Sequence, residues 1–422
     1  MAIKLLEKPF FTATLICILI FYSNSARLNQ RSRARFCLEE SAVSSVEGEI
    51  ISSPAKTQSG KYYICKLSLN TVYGKVSDAD ANSSARGIIT LLIPSELAEV
   101  YFPGKLYTAA NNKGAFLYES GALYNFKGSF SNSVFIAKDC RTCSWKKGIY
   151  GRIDYFRALC RLQFKRLMYA WGNAGGLLLA LLCGSREYLE PVLYSNFRTA
   201  GLSHIIALSG MHLSMFSAIA LFFGSRFGRK KLTFIIRVTA LILFVWFAGF
   251  SPSLLRAFIC SMLLLFAAIA GVKEPDMLMI LCFSFLLQCI LSPSDLVNAG
   301  FMLSYGALAG ILITSRFLTK IIMRYLPPYF SLSLSASCGA QIFTAPLSLK
   351  LFGSFSPIGV IATVFVSPLI TIFIYSGLLF IILSLIFPHL SSYSAFFLAI
   401  EYNFIKIITG AFSQAPLISF GE

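Results

Sequence analysis

The chain has 422 residues, 56% of them hydrophobic and 13% charged, with a formal net charge of +18. A mean hydropathy of +0.69 excludes a water-soluble globule as a description of the whole chain. No G-x-x-x-x-G-K-[ST] run occurs, which excludes nucleotide hydrolysis by a P-loop, and the 3 histidines are too few and too dispersed for a two-metal hydrolase centre.

Residues 1 to 26 carry Lys4 and Lys8, the apolar run Pro9 to Tyr22, then Ser23-Asn24-Ser25. This is the pattern of a signal peptide or an uncleaved signal anchor, and either would export the segment C-terminal to it. Arg27, Arg31, Arg33 and Arg35, directly after the run, pull the other way, because positive charge favours the inside. From 27 to 150 polar residues, Gly, Asn and Ser dominate and no span can be drawn, so this stretch reads as one soluble domain. Within it VEGEII, KYYICKLSLNTVYGKV, RGIITLLI, KLYTAA and GALYNFKGSF alternate apolar and polar residues between turn formers. The expectation is a small all-β, OB-like barrel on the outer face, with a β-sandwich as the alternative. Lys and Arg outnumber Asp and Glu there, which is compatible with a polyanion. Cys37, Cys65, Cys140 and Cys143 permit two disulfides in an oxidising compartment, with the pairing left open. A single Cys-x-x-Cys with no nearby His is weak as a metal or redox site, and no metal or cofactor is expected.

The stretch from 151 to 422 reads as an α-helical, polytopic membrane domain of about 8–10 segments, some broken or re-entrant. Over 151 to 170, Arg152, Arg157, Arg161, Lys165 and Arg166 intersperse with apolar residues, which predicts an amphipathic helix lying at the bilayer interface. Gly172 to Gly184 is apolar but brief. The runs 232 to 250, 254 to 271, 276 to 291, 296 to 314 and 357 to 387 are long enough to cross or nearly cross the hydrocarbon. Arg226, Arg229, Lys230 and Lys231, then Lys273, then Arg316, Lys320 and Arg324 recur on every second loop, which makes those loops cytoplasmic.

Polar groups then stand out where lipid makes them costly. GLSHIIALSGMHLSMF, 201 to 216, holds His204 and His212. On a regular helix their spacing is about 12 Å of rise, too far to share an ion with ligand bonds of about 2 Å. They line a polar cavity at two depths or bond neighbouring helices, with Ser209-Gly210 loosening the helix between them. In AGFSPSLLRAF, 248 to 258, Ser251-Pro252-Ser253 marks a tight connection, and Arg256 either snorkels or points inward to attract an anion. Ser304, between Gly300 and Gly306, and Gln341, after Gly339, sit among small residues suited to close helix packing or to a polar path. Pro346 and Pro368 are expected to break or kink their helices. No serine comes with a plausible His and acid partner, so the chain is not read as an enzyme.

FRTAGLSHIIALSGMHLSMF, GFSPSLLRAFICSMLLLF, LSPSDLVNAGFMLSYGALAG and AQIFTAPLSLKLFGSFSPIGVIATVFVSPL, in that order over about 175 to 370, resemble the motifs of the ComEC competence-protein family, inner-membrane DNA-uptake channels. The 27 to 150 stretch is similar, more weakly, to that family's OB-like domain. The resemblance implies passage of single-stranded DNA across the cytoplasmic membrane during natural transformation. His204, Ser209, Gly210, His212, Ser251, Ser253, Arg256, Ser304 and Gln341 match the motif positions. Thr363 stands where the family commonly has Asn, and Ser185 where an acid often follows Gly184. The metallo-β-lactamase-like nuclease domain of longer members does not follow Glu422, so the resemblance implies a separate nuclease, together with a DNA receptor and a cytoplasmic ATPase. The competing readings are a small-solute transporter on the same helical core and a non-transporting membrane scaffold; oligomeric state is left open.

Overall fold

The computed structural model describes residues 9–32, 34–57, 59–76, 79–99, 119–131 and 134–419. Two compact units are present: Gln30–Ser195 with Phe373–Phe404, and Met1–Asn29 with Asn196–Ile372 and Ile405–Glu422. The chain opens on helix α1 (Pro9–Ser32), after which the first unit begins with a β-domain. Its strands are β1 (Val43–Ile50), β2 (Ala55–Lys56), β3 (Tyr62–Val76), β4 (Ala79–Ser84) and β5 (Ile88–Pro94). A short helix α2 (Ser95–Glu99), then β6 (Ala122–Ser131) and β7 (Val134–Trp145) complete it.

Five of these strands close a ring. Strand β1 runs antiparallel to β3 and to β6, β3 to β5, and β6 to β7, while β5 and β7 are parallel. Closure in this order removes the sheet edge and is the OB-like barrel expected from the alternating pattern. Val46, Ile50, Leu67, Leu91, Ile93 and Phe126 fill it, each fully buried, and each contributes about 1.5–3 kcal/mol by leaving water. Strand β7, which joins the two halves, was not anticipated. Its polar run Lys138-Asp139-Cys140 and two register shifts against β6 interrupt the two-residue period. The anticipated strand KLYTAA lies outside the described residues.

Of the cysteines anticipated to form disulfides in this domain, Cys37 and Cys65 do not pair. Both are free thiols, Cys65 in the barrel core and Cys37 exposed; the Cys143 side chain lies outside the described residues.

Helix α3 (Ile149–Ala170) comes next, with its charges arranged opposite to the expectation of a basic face turned to headgroups. Arg157, Arg161 and Lys165 are buried, whereas Ile149, Tyr150, Ile153 and Phe156 are exposed. Lys165 Nζ pairs with both Glu119 and Glu187, the latter at 2.9 Å, and Arg161 reaches Glu119 at 3.2 Å. Arg157 pairs with Asp154 at 3.2 Å and donates to the Ser120 carbonyl at 2.8 Å. The physical reason is partner supply: buried cations require carboxylates, and the segment entering β6 and the turn after the next helix deliver them. The three surrounding cations hold the Glu119 carboxyl down at about 2 against the cost of its burial. Glu187 shares only Lys165 closely, and burial, the larger effect, pushes its carboxyl up. Next, α4 (Gly172–Cys183) is buried on every side from Ala174 onward, as an all-round apolar helix of this length should be.

The second unit is helical. It contains the end of α5 (Pro191–Thr199), then α6 (Ser203–Ile206), α7 (Gly210–Ser225), α8 (Lys230–Ala248), α9 (Pro252–Ile269) and α10 (Met277–Leu291). After a 3-10 turn (Pro293–Val297) come α11 (Ala299–Ile322), α12 (Pro328–Phe352), the first half of α13 (Gly359–Ile386) and the end of α14 (Ser391–Ser413), whose other residues belong to the first unit. Strands β8 (Ser354–Phe355) and β9 (Ile418–Ser419) pair in this unit. The helical stretches Lys230–Ala248, Pro252–Ile269, Ala299–Ile322, Gly359–Ile386 and Pro388–Ser413 are long and apolar enough to cross a membrane. Pro9–Ile20, α4, α7 and α10 are shorter apolar helices.

Contacts within this unit follow from side-chain size. Helices α11 and α12 touch where a methyl group on Gly310 would overlap the Gly339 carbonyl, the small-residue approach that membrane helices use. Against α10, α1 sets Phe10 edge-on to Phe283 at 5.4 Å, and Thr14 donates to the Cys282 carbonyl at 3.4 Å. Pro346 and Pro368 do not break their helices: α12 and α13 run through them. Each removes one N–H from the ladder, and helices in apolar surroundings tolerate that where neighbours fill in.

Candidate functional site

The histidine window 201 to 216 is not one helix. Gly201, at φ +73°, turns the chain after α5, and α6 stops at Ile206. Ala207 and Ser209 are then extended before α7 begins at Gly210. His204 and His212 therefore stand on different helices, and the helical spacing expected for them does not apply. The sequence cause is local. Ser209 is an N-cap, and its backbone N–H donates to Nδ1 of His212 three residues on, at 3.3 Å, while its hydroxyl lies 3.2 Å from the same nitrogen. A histidine thus takes the place usually held by Glu or Gln in a capping box.

A second helix start is fastened to this break. Ser251 caps α9 by accepting from the Leu254 N–H at 3.4 Å, with Pro252 at the first helical position. Ser253 then donates to the Leu208 carbonyl at 2.8 Å, which ties the start of α9 to the extended residues before α7. One turn on, Arg256 donates to the Ser304 carbonyl of α11, sets its guanidinium over the Tyr305 ring at 5.9 Å, and lies 3.6 Å from where a Cβ on Gly210 would stand. Arg256 does not snorkel to an interface. It points inward, to α7 and α11.

Six of the expected residues, Ser209, Gly210, His212, Ser253, Arg256 and Ser304, are joined in this way, with Ser251 as the cap beside them. Ser304 contributes its carbonyl. Gln341 belongs to a second group: its amide donates to the Ser356 carbonyl at 2.7 Å, and Gly201 packs against the same Ser356 and Gly359. His204 is exposed on α6, near that turn. No bond described in the structure links Gln341 or His204 to Arg256. Arg237, close to the basic loop, is satisfied by Ser217 at 2.9 Å.

Sequence reasoning missed the brace behind Arg256. Gln288 of α10, fully buried, donates to the Pro252 carbonyl and to Asp295, each at 3.1 Å, and accepts from the Tyr305 hydroxyl at 3.0 Å. Ser284, also fully buried, lies 3.3 Å from the same hydroxyl. The available signal was a lone Gln in an otherwise apolar helix, which in lipid has to find partners. Among the described residues no group of three His, Cys, Asp or Glu side chains could hold a metal ion.

The family model described as "Competence protein" matches residues 181–421, which contain this whole constellation. The chain belongs to the competence protein family. It is similar to "ComE operon protein 3" of Bacillus subtilis (strain 168), 29% identical over 207 residues, covering 49% of this chain and 26% of that protein. It is also similar to "Recombination protein 2" of Haemophilus influenzae, 27% identical over 221 residues, covering 49% of this chain and 28% of that one. The match thus spans about a quarter of the length of these competence-family relatives. No solved structure matches the chain. As a competence-family protein with five membrane-capable helices, it is a multi-pass membrane protein whose family-matching segment is helical throughout its long elements.

Proposed function

We propose that this protein is a channel through which single-stranded DNA crosses the cytoplasmic membrane in natural transformation, with the OB-like barrel on the outer face. The observation that carries the reading is the inward Arg256, held at a broken helix by residues from α7, α9 and α11. Interrupted helices at membrane depth expose backbone N–H and C=O groups, and they occur where protein or a hydrated path satisfies those groups. A strand bearing one charge per nucleotide needs such donors, set in a positive field, in place of lost water. Gly201, the extended Ala207 to Ser209 and the Gln341–Ser356 bond add further backbone turns and amides to the same unit. On this reading the chain catalyses no bond-making step. A receptor, a nuclease acting on the opposite strand and an ATPase are separate proteins, and the inner membrane is its location.

Deletion of the gene, followed by exposure of cells to labelled DNA, tests this. The expected result is loss of nuclease-resistant, internalised label with surface-bound label retained. Internalisation at the parental level would reject the channel. A small-solute carrier is separated from it by proteoliposomes loaded with the full chain, in which solute counterflow without strand entry would favour the carrier.

A further inference from the structure

Among the described residues, no ion pair meets the positive groups at the helix break. The N-termini of α7 and α9 are tied together by the Ser253–Leu208 bond, and each carries about half a positive charge on N–H groups that have no acceptor within the helix. Arg256 adds a full charge beside them, with one terminal nitrogen 3.6 Å from the Cβ position of Gly210. Its other terminal nitrogen is spent on the Ser304 carbonyl, and its Nε is buried with no acceptor. His212, fully buried in the first turn of α7, is bonded to Ser209 through Nδ1 and leaves Nε2 buried without a partner. None of the ion pairs among the described residues involves Arg256. Asp295, the acid of this neighbourhood, is engaged by Gln288, whose amide also holds the Pro252 carbonyl.

A guanidinium placed at two helix N-termini without a carboxylate is costly to bury, and an oxyanion relieves all three charges at once. The geometry points to a binding site for one phosphate-class anion between the first turn of α7 and the Arg256 guanidinium. Gly210 and Met211 supply backbone N–H donors, and Arg256 supplies its free terminal nitrogen. The missing side chain at Gly210 keeps that approach open. Taking the anion to be a phosphodiester of the translocated strand rests on the channel reading above; a lipid headgroup and free phosphate share the same chemistry.

The test uses the full chain in phosphatidylcholine nanodiscs, titrated with inorganic phosphate and with a thymidine oligonucleotide. Gly210→Ala is the decisive variant, because its methyl group meets nothing nearer than 3.6 Å and so leaves the fold intact while standing against the Arg256 terminal nitrogen that would hold the anion. Phosphate and oligonucleotide binding should each weaken about tenfold or more in Gly210→Ala and in Arg256→Gln, with the thermal midpoint of Gly210→Ala unchanged. Phosphate binding by Gly210→Ala at parental strength, or none by the parent, overturns the site. In phosphatidylglycerol nanodiscs, loss of phosphate binding that the oligonucleotide cannot compete with would give the site to lipid and overturn its assignment to the strand. Cells separate the two ideas. If Gly210→Ala loses phosphate binding yet internalises DNA normally, the strand assignment fails and the channel survives. If deleting the gene leaves internalisation intact, the channel fails while the phosphate titration still decides the site.

Discussion

The Gln288 side chain accepts the Tyr305 hydroxyl proton at 3.0 Å, and its amide reaches on to the Pro252 carbonyl. This links the residue under the Arg256 guanidinium to the first residue of the helix that carries Arg256. Replacing Gln288 by Ala removes the shared partner of Tyr305, Pro252 and Asp295. Leaving such groups unmet costs about 1–3 kcal/mol each where they stay dry. Gln288→Ala should therefore lower the thermal midpoint in nanodiscs by several degrees, and Gln288→Asn, with a shorter reach, should recover only part. A midpoint equal to the parent in Gln288→Ala would show that the brace bears no stability.

Close approach of α11 and α12 makes a graded prediction. A methyl on Gly310 would overlap the Gly339 carbonyl, whereas a methyl on Gly306 meets only the flexible end of Leu347 at 3.3 Å. Gly310→Ala should cost about 1–3 kcal/mol or more through overpacking, and Gly306→Ala much less. Unfolding of the two variants in the same detergent compares them directly, and equal effects would mean that the helices separate freely.

Legibility in the sequence divided along one line: properties carried by a continuous stretch were readable, and properties that need a distant partner were not. Apolar runs announced α8, α9, α10, α11 and α13 because hydropathy is local, and alternation announced β1, β3, β5 and β6. Strand β7 was hidden by register shifts against β6, a feature of the pair. Arg161 and Lys165 looked like part of a headgroup-facing row because their carboxylates, Glu119 and Glu187, lie in other segments. Serines and Arg256 in the motif were visible as polar groups in an apolar setting. Gln288 was passed over because Tyr305, its acceptor-seeking partner, lies 17 residues away.

Cysteine labelling checks the barrel. Cys65 is 2% exposed, and burial together with Glu187 pushes its thiol up to about 12. With almost no thiolate and no access, it should resist a maleimide near neutral pH, react only after denaturation, and contrast with exposed Cys37. Intact-protein mass before and after denaturation counts the adducts. Native labelling of Cys65 as fast as Cys37 would contradict the closed barrel.

The two buried carboxylates under α3 should behave in opposite ways. Glu119 sits at about 2, below its ordinary 4.5, because Arg161, Lys165 and Arg157 surround it. Its contribution to holding the barrel segment on α3 is complete above the ordinary value and is lost as pH falls from there toward 2. That loss is on the order of 3 kcal/mol. Glu187 is pushed up by burial, so its contribution has the reverse sign: it is present below the ordinary value and fades as pH rises through the raised one. Glu119→Gln should therefore be strongly destabilising at pH 7, because three buried cations lose their shared anion, and it should flatten the acid limb of the stability profile. Glu187→Gln, which removes a carboxylate that burial already disfavours, should cost within about 1 kcal/mol or stabilise. Thermal unfolding of both variants between pH 3 and 8 in detergent decides the matter. Equal destabilisation by the two at pH 7 would mean that Lys165 depends on both acids alike and that the surrounding cations do not single out Glu119.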